Sequence, residues 1–599
     1  MDSRILDVLF LRPGGRFPTV DHDIGSAWDA VSCGSHQVRR HDSNYIFWKI
    51  LLSCRASEYF FGRGLASFAL RWVFKKTFGV SIEESASRAE YCSGMLQDEC
   101  TYRSADGYLA AVCGMIAHLK RLNASQKEYA FSLGAGVCVN LVDYRKSDSI
   151  VEYARRAFKE KNFLSLLAES SLDGAGDAAD LVFLSAHSPE ELLFAALLAL
   201  HLKARNPRAY ICLYEHGYEN FSLQPHLSEL ERNRHFLGIF ESILVGPADV
   251  PEMTAGIVKC ASSDVYPCGI LRRADVPGLG TAPQEKGAFP RSRPLPTFSP
   301  MPILWTRLNQ ERCYWGRCSF CVQNHKHGGG PVGGSGGMED SLRRLQTARE
   351  AGYRHVILSD EALSPGRFRE LSARLLLLKL DLRWACRIRF DGEFRREDFF
   401  RAKEAGCFEA LLGLESVSPR VQRLMNKYPE NLERKHIEDM LAWMREAGLG
   451  SHVNILGGFP GETVQELEDT VGFVAAHAKV TPNMTLTCNC FELFPGSEVA
   501  EDPNRYGIEV RPFSGDVARG LSFSVRGEGN GGSRDQRPYV DEMRQRLFSE
   551  AGWGTLLNTE EGMAALGLYM DSGHGAVFKS MLDNVFEASI KGSACRRSS

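Results

Sequence analysis

Between residues 303 and 500 the chain alternates short apolar runs with amphipathic segments, and this alternation constrains the fold most. The runs that predict strands are ILWTRL, HVILSD, LRWACRIRF, EALLGLES, HVNILGG and LTCNCFEL. Helix-like segments separate them, and several end in Ala-Gly, which is typical of a helix C-terminus. About 33 residues per unit is the size of a βαβ repeat. Six units are too short for a closed barrel of ~250 residues. The pattern therefore predicts a partial (β/α)6 barrel.

The residues before this barrel indicate a second α/β unit interrupted by helices. DVLFLR at Asp7 to Arg12 predicts a buried strand, and LVFLSA, AYICLYEHG and SILVG predict further strands that alternate with helices. Such alternation favours a small parallel sheet of Rossmann type. The predicted fold class is α/β: a small Rossmann-like parallel-sheet domain with a large helical insertion, followed by the partial barrel. We expect the first Rossmann strand in 1–20, a helical accessory region in 21–175, the Rossmann-like domain in 176–270, a linker in 271–302, the barrel in 303–510 and a helical region in 511–599.

The composition is that of a folded protein without a strong overall charge. Of 599 residues, 44% are hydrophobic and 24% are charged, which is ordinary for a globular protein. There are 71 Lys and Arg against 74 Asp and Glu, a net charge of −3, so no general basic field attracts a nucleic-acid backbone. The longest apolar run, Leu192 to Leu202, is shorter than the ~20 residues of a membrane helix. We expect neither nucleic acid nor membrane as a partner.

The start of the chain and the cysteines indicate the cytoplasm. The opening residues include Asp2, Arg4 and Asp7 and lack the order of a secretory signal. The 17 cysteines are an odd number, and most are scattered singly through apolar stretches. This is typical of reduced thiols and not of a disulfide framework.

One short segment, ERCYWGRCSFCVQNHKHGGG, carries the chemistry. Cys313, Cys318 and Cys321 form a C-x4-C-x2-C array directly after the first barrel strand, at the end where barrels place their active sites. Thiolates are the ligands that zinc and iron–sulfur clusters prefer. A structural zinc completed by His325 or His327 is one interpretation. The position at a barrel mouth, with three ligands and one open place, favours a catalytic centre.

This array, with an aromatic residue before its last cysteine, resembles the radical S-adenosylmethionine (SAM) superfamily. The usual spacing there is C-x3-C-x2-C, and CYWGRC has one extra residue. ILSDEALSP, WACRIRFD, AGCFEALLGLESVSPRVQRLMNK and VNILGGFPGET agree in order, so the resemblance covers about 300–500. It implies that Cys313, Cys318 and Cys321 bind three irons of a [4Fe-4S] cluster and that SAM chelates the fourth. One electron then cleaves SAM to a 5′-deoxyadenosyl radical.

Strand alternation identifies the residues that we expect to bind SAM. Polar side chains near strand ends in a barrel interior are costly unless they meet a ligand or each other. Arginine suits the SAM carboxylate, Glu415 suits its amine or ribose, and the glycines allow close backbone approach. A mutual Arg–Glu network that fills the barrel is the alternative. The expected cofactor-binding residues are Phe320, Asp360, Arg387, Arg389, Glu415, Ser416, Asn454, Gly457 and Gly458.

The domain order resembles the branch of that superfamily with an N-terminal cobalamin-binding-type domain. The Asp-x-His-x-x-Gly motif of a cobalt ligand is not found, and the nearest text is Glu215-His216-Gly217-Tyr218. Cobalamin is therefore bound without a histidine ligand or not at all. Cys488 and Cys490 are interpreted as core or barrel lining, Cys595 as incidental, and the glycine run 328–337 as a lid or a linker.

The expected function is that of a radical SAM enzyme acting on an organic metabolite or a peptide. The resemblance also implies an electron donor such as flavodoxin or ferredoxin. Two alternatives stay open: a cobalamin-dependent methyltransferase of the same superfamily, and a zinc-stabilised interaction protein without catalysis.

Overall fold

The protein is described here by a computed structural model. The described residues are 5–13, 18, 21–22, 31, 36–61, 65–98, 100–101, 105–133, 136–175, 177–186, 188–215, 223–246, 250–277, 279, 294–298, 302–306, 313–322, 338–429, 432–481, 483–518, 520–526, 539–540 and 542–543. The sequence predictions that lie outside these residues include His216, Gly217, Tyr218, His325, His327, Cys595 and the glycine run 328–337. Most of the expected linker 271–302 and most of the expected helical region 511–599 lie outside them as well.

Strands and helices alternate through most of the described residues. The strands are β1 (Asp7–Arg12), β2 (Asp21–His22), β3 (Gln37–Asp42), β4 (Tyr129–Ser132), β5 (Gly136–Val139), β6 (Leu181–Ala186), β7 (Tyr210–Glu215), β8 (Ser242–Leu244), β9 (Gly269–Leu271), β10 (Ile303–Thr306), β11 (His355–Leu358), β12 (Arg383–Ile388), β13 (Cys407–Glu415), β14 (Gly450–Gly457), β15 (Met484–Cys490), β16 (Ile508–Arg511) and β17 (Ser522–Val525). The α-helices are α1 (Ser43–Leu51), α2 (Cys54–Phe61), α3 (Leu65–Phe78), α4 (Ile82–Met95), α5 (Ala105–Ser125), α6 (Ser147–Glu160), α7 (Phe163–Ser171), α8 (Pro189–Arg205), α9 (Leu227–Leu230), α10 (Arg234–Leu237), α11 (Val250–Ala261), α12 (Met338–Glu350), α13 (Pro365–Leu378), α14 (Arg396–Glu404), α15 (Pro419–Leu424), α16 (Arg434–Glu446), α17 (Val464–Val480) and α18 (Glu498–Glu501).

The first sheet is parallel throughout and has the order β3-β1-β6-β7-β8-β9. A chain that crosses from one side of its first strand to the other in this way is doubly wound, like flavodoxin. Both β6 and β7 are buried along their whole length, because helices cover both faces of such a sheet. Strand β3, QVRRHD, is polar and lies at the edge, so its sequence carries no apolar strand signal.

Helices α1 to α7 and the β4–β5 hairpin separate β3 from β6 along the chain, and residues of this region share one core cluster with the first sheet. Their core includes Phe47 and Trp48 of α1, which are fully buried. Phe47 packs edge-on against Phe194 of α8, so the insertion shares the core of the Rossmann-like sheet. The exact domain bounds stay predictions.

The second sheet curls into the predicted partial barrel, and the predicted fold class is confirmed. Its order is β15-β14-β13-β12-β11-β10-β2, and every pairing is parallel. Strands β10 to β15 are the six predicted barrel strands, and β2 from the N-terminal region adds one more beside β10. Inward side chains of β10 to β13 form a small apolar layer that includes Trp305, Ile357 and Leu411. The outward side chains pack under the helices.

In the part of the chain described above, no helix combines the length and the apolar character that crossing a membrane requires.

Candidate functional site

The cysteine loop lies at the carboxyl end of the barrel and is hydrogen-bonded to the C-terminal end of α15. Cys313, Cys318 and Cys321 are each half-buried. The backbone N–H of Cys321 donates to the Cys318 carbonyl at 3.1 Å, which closes a tight turn. Between them, the Ser319 N–H donates to the carbonyl of Met425 at 2.9 Å, and the Ser319 hydroxyl donates to that of Leu424 at 3.1 Å. Ser319, which lies within this turn, therefore holds the cysteine loop against the end of α15.

Two cations lie beside the middle cysteine of this loop. Burial raises the pKa of the Cys318 thiol, while the charges of Lys427 and Arg389 lower it and the Cys313 thiol raises it further. Cys313 and Cys318 are thus close enough to interact electrostatically. Positive charges next to a thiol favour its thiolate form, which is the form that binds metal.

The arrangement of the three cysteine side chains bears on the expected metal site. Among the described residues, no three side chains of the types His, Cys, Asp or Glu stand close enough to hold a metal ion. The sequence places three thiols on one short loop, and rotation about their side-chain bonds moves each sulfur. Together with the neighbouring cations, this donor set fits an anionic iron–sulfur cluster. The assignment of the three ligands stays a prediction, as does the zinc alternative.

A buried ion pair stands next to the cysteine loop. Lys427 Nζ lies 2.9 Å from Glu415 Oε1, and the two side chains are only 9% and 13% exposed. Burial lowers the pKa of Lys427, but Glu415 and Cys318 outweigh it and raise the pKa overall. The ammonium also lies 5.8 Å from the centre of the Phe320 ring. This pair combines a predicted residue, Glu415, with one to which the sequence analysis gave no role.

The backbone at two positions of β13, Glu415 and Gly413, allows this pair to form. Glu415 has a φ of 61°, which a residue with a side chain rarely adopts, and the register of β13 against β14 shifts just before it. Gly413 supplies the space, because a Cβ there would lie 2.5 Å from Glu415 Oε1 and 2.6 Å from Lys427 Nζ. A strained residue at a strand end is typical of functional sites.

A chain of polar side chains runs up the inner face of β13, β14 and β15. The Thr485 hydroxyl donates to Glu409 Oε1 at 3.0 Å and contacts His452 Nδ1 at 2.7 Å. On its other side, His452 Nε2 lies 3.0 Å from Asn454 Oδ1, and the Thr487 hydroxyl donates to the same Asn454 oxygen. The chain is buried from Glu409 to Thr487 and ends at half-buried Asn454, a predicted cofactor residue.

The polar chain predicts a pH effect on stability. Burial raises the pKa of Glu409 to about 8. A carboxyl group with a raised pKa stabilises the fold fully at low pH and loses that contribution as the pH rises through about 8. Glu409→Gln should therefore flatten the pH dependence of the unfolding free energy, by up to about 1.4 kcal/mol per pH unit between about pH 5 and pH 8.

Denaturant titrations of both proteins across this pH range measure the effect. Burial also raises the pKa of Glu462, to about 7, so the quantity to compare is the difference between wild type and Glu409→Gln. A difference that does not change with pH would contradict the protonated, buried state of Glu409.

Two further predicted residues lie where strands β11 and β12 end. Arg387 is half-buried, its guanidinium lies 5.9 Å from the centre of the Trp305 ring, and Nη1 donates to the Ser359 carbonyl at 3.3 Å. Asp360 follows Ser359 and is 5% exposed. Both residues lie at the barrel mouth, as the strand pattern predicts.

Two predicted residues face helix α17. The Ser416 hydroxyl lies 3.2 Å from Thr470 Oγ1 of that helix. A Cβ at Gly457 would lie 3.0 Å from the Leu467 side chain, so the glycine allows close packing of α17.

A third predicted residue, Gly458, contacts the turn before α17. It has a φ of 78°, and its N–H donates to Glu462 Oε2 at 2.7 Å. The roles of Ser416, Gly457 and Gly458 in binding SAM stay predictions.

Buried Cys488 packs in the helix-facing core with Leu486, and Cys490 packs against that core. These positions agree with the interpretation of both residues as core. Their thiols therefore lie on the face of β15 opposite the polar chain.

The sequence profile described as the Radical SAM superfamily matches residues 310–474 of this chain. A protein of Pyrococcus horikoshii described as an uncharacterized methyltransferase is 26% identical over 159 residues, which cover 26% of this chain and 33% of that protein. The chain thus spans a third of the length of this curated relative.

One solved structure is similar over nearly the whole chain. It is the radical S-adenosylmethionine methyltransferase TsrM from Kitasatospora setae, with cobalamin and a [4Fe-4S] cluster bound. Its TM-score is 0.51 at 11% identity, and the match covers 98% of this chain and 100% of that chain. At this identity the likeness concerns the fold, and the fold includes both parallel-sheet units.

Proposed function

Because the chain carries a radical SAM domain, we propose that it is an enzyme that cleaves SAM reductively and uses the resulting 5′-deoxyadenosyl radical on an organic substrate. The observation that carries this proposal is the position of the cysteine loop, with Cys318 beside Lys427 and Arg389 at the barrel mouth. A [4Fe-4S] cluster, when bound by Cys313, Cys318 and Cys321, supplies the electron that breaks the sulfonium bond of SAM.

In this proposal the protein binds, orients and shields its cofactors. Lys427 and Glu415 present one buried charge of each sign next to the loop, which suits the carboxylate and the amine of SAM. Asn454 ends the polar chain at the mouth and offers its amide as a neutral hydrogen-bonding group. Trp305 and its apolar neighbours fill the barrel below and keep water from the reacting atoms.

The partners and the location are also proposals. The substrate is a small organic molecule or a peptide, and the electron donor is a small redox protein such as flavodoxin or ferredoxin. A net charge of −3 and free cysteines throughout the described residues support a cytoplasmic protein that does not bind nucleic acid.

The space at Gly413 gives a prediction for SAM binding. Gly413→Ala places a methyl group against both members of the Lys427–Glu415 pair, which must then separate. We expect SAM affinity, measured by equilibrium dialysis on the reconstituted protein, to fall at least about tenfold, the equivalent of about 1.4 kcal/mol, while iron content stays unchanged.

Gly472→Ala is the matched control. Gly472 lies within α17, and a Cβ there would meet nothing within 4 Å. Alanine in a helix is more stable than glycine by about 0.5–1 kcal/mol, so this variant should be slightly more stable and bind SAM normally. If both variants bind SAM with equal affinity, the Lys427–Glu415 pair is not part of the SAM site.

A product assay tests the proposed reaction. The protein is reconstituted anaerobically with iron and sulfide and incubated with SAM and a strong reductant. Formation of 5′-deoxyadenosine and methionine is the expected result. SAM that stays intact with a fully loaded protein would contradict the proposed reaction.

A second function, that of a cobalamin-dependent methyltransferase, is favoured by two observations. The first sheet has the doubly wound strand order, whose carboxyl edge binds ligands at its switch point, and the fold matches a cobalamin-bound enzyme over nearly its whole length. Retention of added cobalamin through gel filtration, with S-adenosylhomocysteine among the products, would support this function. A protein that releases all cobalamin would reject it.

A further inference from the structure

Arg389 is a buried arginine with hydrogen-bonding capacity that the described residues do not use. It follows β12 directly and is 3% exposed. Its Nη2 donates to the Lys427 carbonyl. Its Nε and Nη1 are buried and have no hydrogen-bond partner among the described residues. Leaving a buried donor of a charged group unpaired is costly, so a ligand that accepts from these nitrogens would recover that cost.

Three aromatic rings surround this guanidinium. The centres of the rings of Trp315, Tyr314 and Tyr428 lie 4.4, 5.4 and 5.6 Å from Arg389 Cζ. Such rings attract the positive charge through their faces. They do not replace acceptors for the N–H groups of Arg389.

Two of these rings belong to the cysteine loop itself. Tyr314 and Trp315 lie between Cys313 and Cys318, in the stretch that has one residue more than the usual spacing. Gly316 follows them with a φ of 65°, which turns the chain back toward Cys318. The longer loop thus places two aromatic residues against Arg389.

Hydrogen bonds fix both rings of the loop. The Tyr314 hydroxyl donates to Asp391 Oδ2 at 2.9 Å, and Trp315 Nε1 donates to the Asn426 carbonyl at 2.7 Å. The arginine and the loop are therefore held in one arrangement by contacts from both sides.

We propose that Arg389 is a positioning residue for the cluster: its buried donors bind a sulfur of the [4Fe-4S] centre, and its charge stabilises the reduced form. This inference rests on the proposed function. Hydrogen bonds to cluster sulfurs and nearby positive charge both raise the reduction potential. The residue acts through the cluster, and it does not touch the reacting carbon of SAM.

The test is a redox titration of the reconstituted cluster without SAM, followed by electron paramagnetic resonance. Arg389→Gln should hold about four irons and show a lower midpoint potential than wild type. Arg389→Lys keeps the charge without the planar fork, and its potential should lie between the two. If Arg389→Gln fails to assemble a cluster, the test rests on the midpoint potential of Arg389→Lys, which should be lower than that of wild type.

Arg317→Gln is the matched control. Arg317 lies in the same loop and stacks on the same Trp315 ring, at 5.3 Å, but it is exposed. Because its charge is exposed to solvent and screened, its removal should shift the potential less than Arg389→Gln does. The inference is overturned if the midpoint potential is unchanged in both Arg389 variants, or if Arg317→Gln shifts it as much as Arg389→Gln does. It is also overturned if Arg389→Gln loses SAM affinity while its midpoint potential stays that of wild type. A wild-type protein without any cluster would instead reject the proposed function.

Discussion

Cys318→Ala is expected to abolish both iron binding and SAM cleavage. The wild-type protein should hold about four irons per chain after anaerobic reconstitution, and the variant should hold fewer than about one that is stably bound. Cys318 lies in the middle of the loop, between the other two cysteines and beside Lys427 and Arg389. Its removal takes away one of the three proposed cluster ligands. Iron and sulfide analysis with the SAM product assay measures the effect.

Cys100→Ala provides the control, because Cys100 is an exposed cysteine of the helical region. This variant should keep the iron content and the activity of the wild type. Since Cys318 is not part of the apolar core of the described residues, Cys318→Ala should still fold, with circular dichroism and gel filtration like those of wild type. A Cys318→Ala protein that retains full iron and activity would contradict the ligand assignment, and one that unfolds would favour a structural zinc.

Lys427→Met is expected to be the most destabilising single change at the site. It leaves the Glu415 carboxylate buried without its partner, and breaking a buried ion pair in this way costs about 3–5 kcal/mol. The measurement is the free energy of unfolding from denaturant titration. SAM affinity of the reconstituted variant should fall as well, because the pair also forms the proposed binding surface.

The double variant Lys427→Met with Glu415→Gln separates these two effects. Replacing both charges should restore most of the lost stability, since no unpaired charge remains, while SAM affinity should stay low. Arg88→Met is the surface control: Arg88 and Glu84 form a pair with side chains 65% and 50% exposed, and its loss should cost less than about 1 kcal/mol. Normal SAM affinity in the double variant would mean that the pair only supports the fold.

The periodic features of this fold were predictable from the sequence. Alternation within HVNILGG predicts that His452 and Asn454 share one face of the strand and that Val453 and Ile455 share the other, and the structure has this arrangement. Such patterns survive because one face of each strand must bury apolar side chains under the helices. The alternation of strand-like and helix-like segments likewise predicted the partial barrel.

Residues that depend on contacts distant in sequence were not predictable in this way. The sequence around Lys427 predicts no role for it, and only its distance to Glu415 reveals the buried pair. Glu409 looks like an ordinary strand residue until the structure places it under Thr485. Strand β2 has two residues, too short for any period. In each case tertiary packing decides what local propensity leaves open.

The central claim is that three thiols of one loop hold an iron–sulfur cluster with a free iron for SAM. Electron paramagnetic resonance of the reduced, reconstituted protein tests it most directly, with iron and sulfide determined on the same sample. We expect about four irons and four sulfides per chain and a spectrum that changes when SAM is added. A colourless protein with stoichiometric zinc, or a cluster whose spectrum does not change when SAM is added, would contradict this cluster assignment.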